Sequence, residues 1–379
     1  MIRLTVPSIG EDDLQGVSEV LRSGLLVQGQ RVAAFERAVA DYVGTEYAVA
    51  VSNCTAALHL ALLSLGVQSG DLVIVTAFSY VATANVIELC GAKPVFVDIR
   101  PDTFNIDPDC LSEALGRLMT RPESRRRVKA ILPVHTFGQM ADMPAILEIA
   151  NRYELPVIED AACALGATLK SRQAGSWGFV GCFSFHPRKA VTTGEGGVIT
   201  TRDSKLAEHL RALRNHGQDS TAESPDFIMP GFNYRMTEFQ AALGLTQMTK
   251  LERIIAGRRR AASVYDRLLA GTSLKAPFVA PHSQHVYQSY VALLPEPVAP
   301  RRGDLIRDLK AQGIETNLGT WHIPMTTYYQ RTYGYRPGDF PVSDDVFART
   351  LTLPLHEMIR PSEQEEVVRA LESFCNGME

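Results

Sequence analysis

Between Phe183 and Gly197 the chain reads FSFHPRKAVTTGEGG. An apolar strand pattern, Gly181 to Phe185, ends just before Lys189. The turn Thr192-Thr193-Gly194-Glu195-Gly196-Gly197 then leads into a second strand, Val198 to Thr200. Most lysines are solvated surface groups. One placed past the carboxyl end of an interior strand is partly desolvated, which lowers its pKa and makes the amine a usable nucleophile. The competing reading is a phosphate-cradling P-loop, but its G-x-x-x-x-G-K-[ST] pattern is absent. Lysine amines form Schiff bases with carbonyls, including the aldehyde of pyridoxal phosphate (PLP).

PLP asks three more things of a protein: an anion site, a carboxylate beside its pyridine nitrogen and a flat partner for its ring. Val157-Ile158-Glu159-Asp160-Ala161-Ala162 puts two acids at the end of a buried strand. Asp160, the last, either reaches the ring nitrogen and keeps it protonated, or caps a helix. Val51-Ser52-Asn53-Cys54-Thr55-Ala56-Ala57-Leu58 passes from strand to helix, where free N–H groups and the helix dipole favour an anion. Ser/Thr caps occur on many helices, so this signal is weak alone. Ser184, five residues before Lys189, adds a hydroxyl on the same strand end. In Phe78-Ser79-Tyr80, Tyr80 either stacks on the ring or belongs to the core.

Alternating elements must carry these residues. Leu14, Val17 and Leu21 share a helical face that Gly24 can close. Helices are expected at Thr55–Leu65, Val81–Cys90 and Met143–Arg152, and strands at Leu72–Val75, Pro94–Asp98, Lys129–Val134 and Pro156–Asp160. Such alternation implies βαβ units and a mostly parallel sheet covered by helices, with ligands beyond the carboxyl ends of its strands. After a long helix, Leu245 to Ala270, the pattern changes. Val286–Leu294 reads as a strand, a helix marked by Leu305, Ile306 and Leu309 stops at Gly313, and Pro361-Ser362-Glu363-Gln364-Glu365 reads as a capping box. The expected division is a large domain over 1–250, including an N-terminal arm, and a smaller α+β domain over 251–379.

In this order the motifs Ser-Asn-Cys-Thr-Ala-Ala-Leu-His-Leu-Ala-Leu, Ser-Tyr-Val-Ala-Thr-Ala-Asn, Ile-Glu-Asp-Ala-Ala, Ser-Phe-His-Pro-Arg-Lys…Thr-Gly-Glu-Gly-Gly and Gly-Phe-Asn-Tyr-Arg-Met-Thr-Glu resemble those of the DegT-type nucleotide-sugar aminotransferases. These are PLP enzymes of the aspartate aminotransferase fold (fold type I). The resemblance covers nearly the whole chain, from Ser8 through Leu355. It implies that Lys189 is the Schiff-base lysine and proton shuttle, that Asp160 pairs with the pyridine nitrogen and that Tyr80 stacks on the ring. It further implies that Cys54, Thr55 and Ser184 hold the phosphate, and that Asn233 reaches it from the neighbouring subunit of a homodimer with shared active sites. Two positions depart from the family pattern. Cys54 stands where glycine is usual, which bears on the phosphate turn. Cys163 stands where glutamine or histidine is usual near the PLP hydroxyl, and a thiol is a weak hydrogen-bonding group.

The family's reaction is amino transfer, typically from glutamate, to the keto group of a nucleotide-linked sugar. A dehydratase branch carries histidine in place of the lysine; Lys189 argues against it. The HP-x-K…TTGEGG wording is similar to members that aminate C4 of a 4-keto-6-deoxy sugar. Trp321 and His322 in Gly319-Thr320-Trp321-His322 resemble a perosamine-type variant and either face the sugar nucleotide or pack internally. Arg188 and Arg235 are candidate diphosphate contacts, and Glu195 is candidate or turn residue. The alternatives are a 3-keto-sugar or keto-cyclitol aminotransferase, or a non-catalytic regulator.

Bulk properties agree with a two-domain enzyme. The chain has 379 residues, is 45% hydrophobic and carries a net charge of -4, which gives no support for nucleic-acid binding. The runs Ser124–Arg127 and Arg258–Arg260 read as solvated faces. Six cysteines form no C-x-x-C pair, which fits a reducing compartment and no metal site. The opening MIRLTVPSIGEDD lacks the apolar run of a signal peptide, and no stretch approaches the roughly 20 apolar residues of a membrane span. A cytoplasmic protein is expected.

Overall fold

The computed structural model describes residues 1–219, 224 and 226–376. Seven strands build the central sheet: β1 (Tyr47–Val51), β2 (Leu72–Thr76), β3 (Lys93–Val97), β4 (Val128–Leu132), β5 (Ile158–Asp160), β6 (Val180–Ser184) and β7 (Gly197–Thr201). β2 lies parallel to β3 and β4, and β5 parallel to β6. β7 runs antiparallel between β1 and β6. Parallel bridges Ile131–Val157 and Val134–Asp160 join the two groups, giving the order β1-β7-β6-β5-β4-β2-β3.

The strands read as continuous apolar runs because both faces of the sheet are covered. Every residue of β2 is buried. Successive side chains go to opposite faces, so Ala48 and Ala50 join one core cluster while Val49 and Val51 join the other. The helix Cys54–Ser64 is buried almost throughout, with Leu58, Leu60 and Leu62 against the second cluster.

A three-stranded antiparallel sheet, β8 (Tyr290–Leu293), β9 (Asn317–Leu318) and β10 (Thr350–Leu353), has the order β8-β10-β9. It shares a third cluster with Tyr265, Leu305 and Val368. Ile2 belongs to that cluster and bridges Ile314, so the N-terminal residues pack with the C-terminal elements. The long helix runs from Glu238 to Leu269. The expected division at 250/251 therefore falls inside it.

One local expectation is met and two are corrected. The helix Glu11–Ser23 does end at Gly24, in the left-handed conformation at φ 72°, but it buries Asp13 and Val20 and leaves Leu14 and Leu21 exposed. Asp13 is buried because Lys250, Thr246 and Gln247 on the long helix bond its carboxylate. The strand expected at Val286–Leu294 starts only at Tyr290. Tyr287 has φ 48°, its N–H donates to His285 Nδ1, and its carbonyl and that of Gln288 accept from Arg258. In the last helix, Pro361–Asn376, Ser362 does not cap. Glu363 reaches back to the Arg360 N–H at 2.9 Å, so the cap lies two residues earlier.

Candidate active site

A cavity of about 890 Å³ opens at the carboxyl ends of β2, β5 and β6. The helix Cys54–Ser64 points its first turn into it. Asn53, extended at φ -167°, caps this helix by accepting from the Ala56 N–H at 2.8 Å, and its own carbonyl accepts from Ala57. The N–H groups of Cys54 and Thr55, both at the cavity wall, find no acceptor among the described residues. Free first-turn donors of this kind suit an anion. Cys54 is an ordinary helical residue without positive φ, so nothing at this position requires glycine. The glycine that matters is Gly197. A Cβ there would lie 2.4 Å from Asn53 C and O and 2.8 Å from Cys54 N, so β7 can seat the helix start only without a side chain.

The two acids at the end of β5 have separate tasks. Glu159 is fully buried away from the cavity. It pairs with His135 Nε2 at 2.8 Å and accepts the N–H groups of Gly175, Trp177 and Gly178. Asp160 faces the cavity. Its Oδ2 accepts from Thr83 Oγ1 at 2.8 Å and its Oδ1 from the Ala162 N–H at 3.1 Å. Burial pushes the Asp160 carboxyl above the ordinary range, against the pull of Thr83, Ala162, Lys189 and His135. A buried carboxylate without a cationic hydrogen-bond partner has capacity left for a cationic N–H donor from a ligand.

Lys189 follows β6. Its N–H donates to His186 O at 2.8 Å, and its carbonyl accepts from Arg258 Nη2 at 3.2 Å. Nζ donates to Cys163 Sγ at 3.1 Å, inside the cavity. The expectation of a lowered pKa is overturned. Burial does pull the ammonium down, but Cys163, Cys54 and Asp160 outweigh it and the net direction is up.

Ser184 and Tyr80 also line the cavity. Ser184 Oγ accepts from the His186 N–H, and Tyr80 is largely exposed. Arg188 lies at the wall with an exposed side chain, as does Glu195. Asn233 is exposed and lies outside this cavity, bridging Asn215 in backbone pairing. Arg235 donates to Asn215 Oδ1 at 2.6 Å. Trp321 and His322 do not line the cavity either. They pair with Ser79 and Phe78, and His322 is buried against Phe340 and Phe347, with Asp344 3.2 Å from its Nδ1. The neighbouring Asn317, Gly319 and Thr320 reach the cavity instead. The structure adds Thr83, Gln288 and Arg258; the reading of Arg258 as part of a solvated face is corrected, because its guanidinium is buried and bonded to the carbonyls of Lys189, Tyr287 and Gln288. Thr83 lies in the quoted Ser-Tyr-Val-Ala-Thr motif, whereas no local pattern marks the other two.

The unpaired N–H groups at the helix start, the cavity-facing Asp160 and the reachable Lys189 amine together fit PLP. Residues 7–372 match the DegT/DnrJ/EryC1/StrS aminotransferase family. The chain is 41% identical over 348 residues to GDP-perosamine synthase of Caulobacter vibrioides, covering 91% of this chain and 90% of that protein. It is 36% identical to UDP-2-acetamido-2-deoxy-3-oxo-D-glucuronate aminotransferase of Pseudomonas aeruginosa, over 94% of each. Among solved structures, a Streptococcus pneumoniae protein in its PLP form superposes with a TM-score of 0.91 at 28% identity, over 98% of each chain. The chain therefore belongs to the DegT/DnrJ/EryC1/StrS aminotransferase family, has its α/β fold and is a PLP-dependent sugar aminotransferase.

Proposed function

We propose that the enzyme moves an amino group from an amino acid, L-glutamate, to the keto group of a nucleotide-linked keto-deoxysugar, at C4 of a 4-keto-6-deoxyhexose. The observation that carries the regiochemistry is the 41% identity to GDP-perosamine synthase, set against 36% to an enzyme named for a 3-oxo substrate. The cavity, about 890 Å³, has the size of an organic-ligand site. Polar groups of Gln288, Ser289, Asn317 and Thr320 line it and can meet sugar hydroxyls.

Bound PLP supplies an electron sink for the carbanion formed at the donor's α-carbon. The N–H groups of Cys54 and Thr55, with the Ser184 hydroxyl, would hold its phosphate. Asp160 would hold the ring nitrogen protonated and Tyr80 would cover the ring, with Cys163 beside the Lys189 amine. Lys189 Nζ, the amine inside the cavity, would take and carry the proton lost from the donor's α-carbon. Positioned proton transfer of this type is worth about 10²–10⁴-fold. In the second half-reaction the same amine would return a proton to the former keto carbon of the sugar. The working unit is a homodimer in which the partner subunit's Asn233 completes the phosphate site. This accounts for an exposed Asn233 outside its own cavity.

The test is a panel of nucleotide-linked 4-keto and 3-keto sugars incubated with L-glutamate and read by the mass of the product. Amination of the 4-keto members alone is expected. Amination of only 3-keto sugars, or of keto-cyclitols, would overturn the regiochemistry.

A further inference from the structure

Asp160 is reached by a chain of hydroxyls. Thr83 Oγ1 donates to Asp160 Oδ2 at 2.8 Å, and Ser79 Oγ lies 3.0 Å from Thr83 Oγ1. Both hydroxyl residues are buried, Thr83 to 1% exposure and Ser79 to 5%. A hydroxyl has one proton to give. An ionised carboxylate can only accept, so the Thr83 proton goes to Asp160 and Ser79 must donate to Thr83. The direction of the relay is thereby fixed whenever Asp160 is charged.

The relay is anchored on both sides. Thr83 sits in the first turn of the helix Ala82–Leu89. Ser79 pairs in register with Trp321, next to the segment that brings Asn317, Gly319 and Thr320 to the cavity. We propose that Thr83, backed by Ser79, is a positioning residue that keeps Asp160 ionised and aimed at the ring nitrogen of PLP. This rests on the assignment of Asp160 to that nitrogen.

The physical case is a balance. Burial favours the neutral acid, which cannot hold the ring nitrogen protonated. Facing Asp160 are Lys189 and His135, which favour its charge, and the thiols of Cys54 and Cys182. Lys189 Nζ donates to Cys163 Sγ rather than to Asp160. The Thr83 hydroxyl and the Ala162 N–H are then the fixed donors that remain.

The test uses holoenzyme carrying PLP labelled with ¹⁵N in the ring, its nitrogen shift followed against pH in wild type, Thr83→Val, Thr83→Ser, Ser79→Ala and Asp160→Asn. In Thr83→Val the ring nitrogen is expected to lose its proton at lower pH than in wild type, and the glutamate half-reaction to slow about 10- to 100-fold, the range of one lost hydrogen bond to a charged group. Thr83→Ser should restore both, and Ser79→Ala should move both in the same direction by less. If Thr83→Val fails to fold, Ser79→Ala carries the test alone. An unchanged ¹⁵N titration in folded Thr83→Val, or in Ser79→Ala where that stands alone, would overturn the relay, provided Asp160→Asn does deprotonate the nitrogen. A wild-type titration in Asp160→Asn would instead overturn the assignment of Asp160 itself. Neither outcome depends on the sugar substrate.

Discussion

At Lys189 burial and neighbouring groups act in opposite directions. A buried ammonium is disfavoured, yet Cys163 at 3.1 Å, Cys54 and Asp160 together hold its pKa above the ordinary lysine value. Read from its own segment, Lys189 shows only desolvation. The groups that reverse the sign come from residues 54, 160 and 163, which the fold alone brings together. A raised pKa leaves less free amine at neutral pH, and only the free amine attacks an aldehyde. Cys163→Ala removes the nearest group that favours the charge. The pH midpoint for capture of PLP by apo-enzyme is therefore expected to move down, with faster capture at pH 7 to 8, as followed by absorbance in stopped flow. Lys189→Ala should capture none covalently, and borohydride should fix the cofactor on Lys189 in wild type. A midpoint that stays put or rises in Cys163→Ala would show that burial governs this amine.

The elements were more legible than the contacts between them. Met143–Arg152 has the expected bounds, and strands β2 to β7 lie within one or two residues of theirs, because fully buried strands leave continuous apolar runs. Leu14 and Leu21 have the expected helical spacing yet lie exposed, because periodicity marks an apolar face without naming what covers it. The Gly-Glu-Gly-Gly turn was legible as a turn, but its separate glycine roles were not. Gly194 has φ +81° with open space around it, so alanine there meets only conformational strain, about 1 kcal/mol. At Gly197 alanine would collide with the backbone of Asn53 and Cys54 and displace the first turn of the Cys54–Ser64 helix. Overpacking of this kind costs roughly 1–3 kcal/mol. Gly197→Ala is expected to weaken PLP binding about tenfold or more, while Gly194→Ala leaves the dissociation constant within a few-fold of wild type; both are read by cofactor titration of apo-enzyme. Equal effects at the two glycines would detach the phosphate site from the packing of β7 on this helix.

For the whole molecule, the single chain leaves apolar surface where a second copy is expected. Leu14, Leu21, Leu25 and Val27 are each more than half exposed, close in sequence at and just beyond the Glu11–Ser23 helix. Exposed apolar side chains grouped in this way point to a protein partner, and closed two-fold dimers are the commonest assembly. No helix among the described residues is long and apolar enough to cross a membrane. If the partner subunit's Asn233 completes each site, Lys189→Ala and Asn233→Ala chains should complement one another. In a mixed dimer, the site built around the intact lysine also receives the intact asparagine, and the other site has neither. Random exchange of equal amounts makes about half the dimers mixed, with one working site in each. Activity should then rise from the residual level of Asn233→Ala to about a quarter of wild type. Sedimentation or mass spectrometry of differentially tagged chains checks that exchange has occurred. Exchange without recovery of activity would place every catalytic group of a site in one chain, and the exposed Asn233 would need another explanation.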